Sequence, residues 1–327
     1  MNKILIVGYG SIGKRHVNNL LSIPNTEIII YTKQNKLKFL NKKIKINNKL
    51  NESLKEKPDI VFVTNETSKH IPIAIKLAKK KLDLFLEKPL SNSMINVKTL
   101  VSTAKKNNLI TQIGCNFRFH PCLIKMKKII DNGTIGKIIV AQVESGSYLP
   151  DWHPYEDYRS GYAARKDLGG GIVLTCIHEI DYLYWFFGDV KEVFSITGKF
   201  SDLEVTSDDM SSSILRFKND IIAEVHLDYF QKPDFKSCKI KGTKGTLYWD
   251  SDHNEVKIYP TKNKKWKTIM KLNNFERNQT FIDEIKHFLK CVKTEKPTIN
   301  DINQGVRTLE IALAMKKSSK IKKMVRV

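Results

Sequence analysis

The stretch that most restricts the fold is Lys3-Ile4-Leu5-Ile6-Val7, which runs into Gly8-Tyr9-Gly10-Ser11-Ile12-Gly13 and on into Lys14-Arg15-His16. The apolar run is β-branched and does not alternate, the pattern of a parallel strand buried on both faces. Ile12, Val17, Leu20 and Leu21 then give a rough helical stripe. Strand, glycine turn and helix follow one another, and the glycines have separable reasons. Gly8 suits the tight turn, Gly10 lets backbone approach a pyrophosphate, and Gly13 lets helix pack closely on strand. The phosphates of a dinucleotide then meet unpaired N–H groups at the helix N-terminus. The segment predicts dinucleotide binding by Gly8, Gly10, Ser11, Ile12 and Gly13; a plain βα turn is the alternative.

At 327 residues the chain exceeds one ordinary core and fits two domains, 1–120 and 121–327. No apolar run reaches the roughly 20 residues of a membrane span, and the N-terminus enters a strand directly, so a soluble, cytoplasmic protein without membrane contact is expected. The five cysteines are odd in number and scattered without Cys/His ligand spacing, which argues for reduced thiols and no metal. The formal charge of +22 comes from lysines such as Lys79-Lys80-Lys81 and Lys105-Lys106 spread over solvated faces. A general composition bias accounts for that, and a phosphorylated or nucleotide-linked substrate would be helped by it. Specific nucleic-acid binding has no supporting motif.

The second strand, Glu27 to Tyr31, ends at the position that usually selects the cofactor, where an Asp or Glu holds the ribose 2′-OH of NAD. Here Thr32-Lys33-Gln34 stands instead, supplying a hydroxyl and a cation and leaning toward NADP over NAD. A third unit follows, with strand Asp59 to Thr64 and the helical stripe Ile71, Ala74, Ile75, Ala78. In an open α/β sheet ligands bind beyond the carboxyl ends of strands, so Thr64, Asn65 and His70 are candidates to touch cofactor. Strand Leu82 to Leu86 delivers Glu87-Lys88-Pro89 to the same rim, and a strand ending at Gly114 delivers Asn116.

After Asn116-Phe117-Arg118-Phe119-His120-Pro121 the βα rhythm stops. A connecting helix to Asp131 leads into long strands separated by tight turns, which predicts an α+β domain with an antiparallel sheet. Two helices close the chain. Within this half, Gly169-Gly170-Gly171 precedes His178-Glu179-Ile180-Asp181, and His178, Asp181, Tyr182 and Trp185 recur at helical spacing. A buried helix whose His and Asp satisfy each other is the plain alternative to a catalytic face.

Taken together, the glycine turn with Lys14-Arg15-His16, Glu87-Lys88-Pro89, Asn116 to Pro121, Gly133-Thr134-Ile135-Gly136-Lys137, the glycine triplet with His178-Glu179-Ile180-Asp181 and Phe281-x-x-Glu284 resemble the glucose–fructose oxidoreductase / inositol dehydrogenase / MocA (Gfo/Idh/MocA) family over nearly the whole chain. The resemblance implies a Rossmann domain, an open-faced sheet that joins subunits into a homodimer or homotetramer, NAD(P), and oxidation or reduction of a sugar or cyclitol alcohol. By position, Lys88 matches the family's catalytic lysine, with Pro89 often joined to it by a cis bond, and His178 its acid/base. Hydride leaves carbon only as alkoxide charge forms, so a base must take the proton while a cation steadies the oxygen. Glu87 and Lys88 are expected beside the cofactor, and Asn116, Arg118, Tyr158, Arg165, Thr175 and Asp181 beside the sugar.

One position departs from the pattern. Most members carry an Asp four residues before the histidine, where this chain has Leu174, and the spacing from triplet to histidine is one residue short, leaving Thr175 as the nearest polar group. A subgroup resembling surface-sugar biosynthesis enzymes shares that spacing and the approach Tyr162-Ala163-Ala164-Arg165-Lys166. Two other readings stay open: a redox-neutral epimerase or glycosidase-type enzyme, and a cofactor-binding sensor without catalysis, to which Leu174 adds weight.

Overall fold

The computed structural model describes residues 2–34, 41 and 43–327. In chain order the elements are β1 (Asn2–Val7), α1 (Ser11–Leu21), β2 (Thr26–Tyr31), β3 (Ile44–Asn47), α2 (Leu50–Lys55), β4 (Ile60–Val63), α3 (His70–Ala78), β5 (Asp83–Glu87), α4 (Val97–Lys106), β6 (Thr111–Gly114), α5 (Pro121–Asp131), β7 (Ile138–Gly146), α6 (Ile172–Thr175) and α7 (Ile177–Phe187). There follow β8 (Val190–Gly198), β9 (Met210–Phe217), β10 (Ile222–Asp228), β11 (Phe235–Gly242), β12 (Gly245–Asp250), β13 (Glu255–Pro260), β14 (Lys267–Lys271), α8 (Arg277–Thr294), α9 (Ile302–Ile321) and β15 (Val325–Arg326). Among the described residues no helix is long and apolar enough to cross a membrane.

The chain forms two compact units, Met1–Cys115 with Asn278–Val306, and Asn116–Arg277 with Arg307–Val327. A single division after residue 120 misses the return of 278–306 to the first unit. Its physical basis is visible in the core. The first unit's parallel sheet, in the order β3-β2-β1-β4-β5-β6, buries Ile4, Ile6, Ile28, Ile30, Phe62 and Phe85 in one cluster with Val17 and Leu20 of α1 and with Ile285 and Phe288 of α8. Phe62 and Phe85 stack at 4.4 Å, and Phe288 meets both edge-on. Fully burying such a side chain contributes about 1.5–3 kcal/mol, so α8 is as much part of this core as α1. The segment before α9 is tied in by backbone, Ile113 N donating to Asn300 O at 2.8 Å.

Strand β3 and helix α2 escape a reading by pattern, because an edge strand spelled Ile-Lys-Ile-Asn is half polar and only four residues long.

The second unit is a nine-stranded sheet, β14-β13-β12-β11-β7-β10-β9-β8-β15. Two meanders, β8-β9-β10 and β11-β12-β13-β14, flank β7. The expected antiparallel sheet is therefore mixed at one place, where β10 lies parallel to β7 with Val225 opposite Val143. Along β8 and β9 one face is buried (Val193, Ser195, Ser213, Leu215), while Phe194, Ile196 and Ile214 of the other face are 37%, 54% and 50% exposed.

Candidate active site

Because every neighbouring pair in the first sheet is parallel, its strands end on one rim. Val7 lies opposite both Tyr31 and Val63, Val63 opposite Leu86, and Glu87 opposite Gly114. The residues that follow these strands, Gly8, Thr32, Thr64 and Lys88, are neighbours for that reason. Gly8 has φ +96°, and a Cβ there would lie 2.8 Å from the backbone of Asn65, so only glycine lets the Asn65 turn come this close. A Cβ on Gly13 would lie 2.6 Å from the Gly8 carbonyl, which is the helix-on-strand contact. Thr64 Oγ1 donates to Gly8 O at 2.9 Å and locks the turn from below.

These features fit a dinucleotide. Gly10 is the N-cap of α1 with no side-chain cap and no acid in the first turn, and around its missing Cβ there is nothing within 4 Å. Ser11 is exposed, Ile12 half-buried, and Lys14 and Arg15 add positive charge. The result is an open, electropositive helix end. The Asn65 side-chain oxygen beside it is buried without a protein partner. At the end of β2, Thr32 is buried with its Oγ1 accepting from Gln34 N at 3.1 Å, and Lys33 is exposed. Gln34, which the sequence did not single out, donates to Tyr9 O at 3.1 Å and braces the glycine turn.

Glu87, Lys88 and Pro89 follow β5 on this rim, with a cis Lys88–Pro89 peptide. Glu87 is buried rather than presented to a ligand: one oxygen meets His16, and the other accepts from the Lys88 N–H at 3.2 Å. Lys88 itself is half-buried. His70, expected to touch cofactor, is instead buried with both ring nitrogens against backbone carbonyls of Asn65 and Pro89. Burial pushes its pKa below the ordinary histidine value.

In the second unit, His178 is 8% exposed on α7 and its ring lies parallel to Phe117, centroids 4.8 Å apart and planes at 16°. Lys236 on β11 holds Glu179 at 2.8 Å and places its ammonium 5.6 Å from the Phe117 centroid. Asn116 is buried one residue before Phe117. Thr175 is buried, as is Tyr229, whose hydroxyl donates to Ala163 O at 3.4 Å and whose pKa burial drives well above the usual value. Leu174, four residues before His178, is buried at the turn before.

Four expected sugar contacts are otherwise engaged. Arg118 and Asp181, each 1% exposed, form a two-pronged pair at 2.8 and 2.9 Å, with Thr308 also donating to Asp181 at 3.3 Å. A guanidinium and carboxylate matched in this way hold each other and tie α7 to the Asn116–Phe119 segment. Arg165 is exposed and pairs with Asp167 at 2.5 Å, and the Tyr158 hydroxyl accepts from Glu204 N at 3.1 Å. The glycine triplet packs this approach: a Cβ on Gly170 would sit 1.9 Å from Tyr162 O.

A parallel nucleotide-binding sheet with a lysine on its rim, followed by an open α+β sheet domain, defines a two-domain nicotinamide-dependent oxidoreductase. Residues 2–115 match the oxidoreductase family with an NAD-binding Rossmann fold, and residues 123–248 match the GFO/IDH/MocA C-terminal domain; the chain belongs to the GFO/IDH/MocA family. Myo-inositol 2-dehydrogenase of Thermotoga maritima is 29% identical over 343 aligned positions, 99% of this chain and 98% of that protein. The scyllo-inositol 2-dehydrogenase (NAD(+)) of Bacillus subtilis is 25% identical over 94% of this chain and 91% of its own length. A levoglucosan dehydrogenase solved in complex with NADH shares the fold, with TM-score 0.89 at 18% identity over 100% of this chain and 99% of that one.

Proposed function

We propose that the protein is a dehydrogenase that uses a nicotinamide dinucleotide to oxidise, or in reverse to form, a secondary alcohol of a sugar or polyol. The observation that carries this reading is the common rim of the parallel sheet, on which the open glycine turn follows β1 and Lys88 follows β5, with only β4 between them. Bound NAD would supply the hydride acceptor at nicotinamide C4. Gly8 to Gly13 hold the pyrophosphate, Thr64 and Asn65 support the turn behind it, and Thr32 with Lys33 takes the adenosine ribose. With no acid at that corner, Lys33 accepts the 2′-phosphate of NADP as well as the free hydroxyl of NAD. The His178 imidazole takes the hydroxyl proton, and the Lys88 ammonium steadies the oxygen as charge develops on it. Asn116 and Thr175 supply polar contacts to the sugar.

The inositol and levoglucosan dehydrogenases above support a polyol or sugar substrate. The excess of 22 positive charges favours an anionic member of that class, a sugar phosphate or nucleotide sugar. The exposed Phe194, Ile196 and Ile214 support pairing of the sheet face with a second copy of the chain. The deciding experiment is Lys88→Met, assayed by nicotinamide absorbance with a panel of inositols, levoglucosan, sugar phosphates and nucleotide sugars, alongside NADH and NADPH titration. NADH binding is expected to survive within about threefold while turnover disappears. Undiminished turnover overturns the reading, and turnover of sugar without net change in nicotinamide absorbance points to redox-neutral chemistry.

A further inference from the structure

Two buried histidines close on the segment that carries Lys88. His16 lies three residues beyond Gly13 on α1, wholly buried, with its Nε2 2.5 Å from Glu87 Oε1. Its ring sits among Phe62, Phe85 and Phe281 at 5.3, 5.1 and 6.4 Å. His16 Nδ1 meets no partner there. A lone pair is tolerated among phenyl rings better than an unpaired N–H, so the proton resides on Nε2 and is donated to the carboxylate. The opposite wall is equally tight, since a Cβ on Gly114 would lie 2.9 Å from Glu87 Oε1. Glu87 is thus immobilised, and its other oxygen holds the backbone N–H of Lys88 at 3.2 Å.

The far end of the segment is held in the same manner. His70 Nδ1 is 3.0 Å from Pro89 O, and Nε2 is 2.9 Å from the carbonyl of Asn65, the residue packed against Gly8. The neutral ring stands between two acceptors and donates its single N–H to one of them, while packing between the cofactor-side turn and the lysine segment. Stability alone does not explain these choices. A buried carboxylate and two buried imidazoles cost several kcal/mol to desolvate, and apolar side chains of similar size in such places are often neutral or better.

We propose that His16 and His70 are positioning residues for Lys88, fixing the Glu87–Lys88 peptide on one side of it and the Pro89 carbonyl on the other, and tying this segment to the phosphate-binding helix and to the Asn65 turn. The inference rests on the reading of Lys88 as the lysine that acts on substrate. It is tested in the full chain with His16→Leu, His16→Gln, His70→Leu and His70→Asn, using NADH titration by intrinsic tryptophan fluorescence, thermal melting, and kcat and KM for the best substrate of the panel. His16→Gln keeps a donor where Nε2 stands, and His70→Asn keeps one where Nδ1 stands.

The leucine variants are expected to lose about tenfold or more in kcat, with KM and the NADH Kd within about threefold, while the glutamine and asparagine variants recover to within about threefold of the parent. Wild-type kcat in both leucine variants overturns the proposal. So does a tenfold loss in the amide variants at unchanged melting temperature, and the amide variants decide the matter should the leucine variants fail to fold. The Lys88→Met control separates the levels: turnover by that variant removes the underlying reading. A dead Lys88→Met beside fully active His16→Leu and His70→Leu removes only the positioning role.

Discussion

The imidazole of His178 lies flat against the ring of Phe117, 4.8 Å between centroids and 16° between planes. Stacking of this kind sets the azimuth of the imidazole, which Leu174, four residues earlier, has no polar group to set. Phe117→Leu preserves apolar volume and removes the flat surface. We expect kcat to fall about tenfold with NADH affinity unchanged, and Phe117→Tyr to keep most of the activity. Steady-state kinetics beside a binding titration checks this, and equal kcat in Phe117→Leu refutes it.

The glycine turn offers a paired prediction. Gly10 has φ −75° and open space around its missing Cβ, so Gly10→Ala folds at a cost of about 1 kcal/mol or less, while its methyl occupies the place of a phosphate and weakens NADH binding at least about tenfold. In Gly13→Ala the methyl meets the Gly8 carbonyl at 2.6 Å, a backbone atom that cannot step aside. That variant is expected to lose about 1–3 kcal/mol of stability along with its binding. Melting curves with and without NADH distinguish the two. Equal melting losses would show that the Gly13 contact relaxes freely.

What the sequence disclosed follows from how far each constraint reaches along the chain. The turn from Gly8 to Gly13 and the strands around it were legible because the backbone demand and the residues that meet it are contiguous. The place of Lys88 just beyond β5 was legible because the apolar strand adjoins it in the chain. The pairing of Arg118 with Asp181, both expected beside the sugar, was not legible because they lie 63 residues apart, and each in isolation looks like a polar residue on a functional face. His16 was visible in the motif but received no role, although its place four residues before Leu20 put it on the buried stripe of α1. Its partner Glu87 is 71 residues away. Arg165 was expected beside the sugar, and the structure gives it Asp167 two residues on.

The Arg118–Asp181 pair carries a stability prediction. Both ends are 1% exposed, so removing one leaves an uncompensated buried charge. Arg118→Leu or Asp181→Leu alone is expected to cost about 3–5 kcal/mol, and the double change Arg118→Leu/Asp181→Leu less than either. Denaturant unfolding of the three variants measures this. A double variant as unstable as the sum of the singles would mean that the two groups act independently.

The acid side of the stability curve should carry the signature of His120. This residue is the N-cap of α5, its Nδ1 accepting from Cys122 N at 3.2 Å, a role open only to the neutral ring. It packs against Trp249 and Phe275 at 5.3 and 4.6 Å, and burial lowers its pKa from 6.5 to about 4. Between those values the unfolded chain binds the proton and the folded chain does not, so stability rises with pH there and is lost as pH falls from about 6.5 to about 4. The gap, at about 1.4 kcal/mol for each pH unit, makes the loss about 3 kcal/mol. Asparagine caps the same amide without titrating. His120→Asn is therefore expected to flatten the decline in melting temperature below pH 6.5 relative to the parent protein, and parallel declines in the two would show that another group carries the proton.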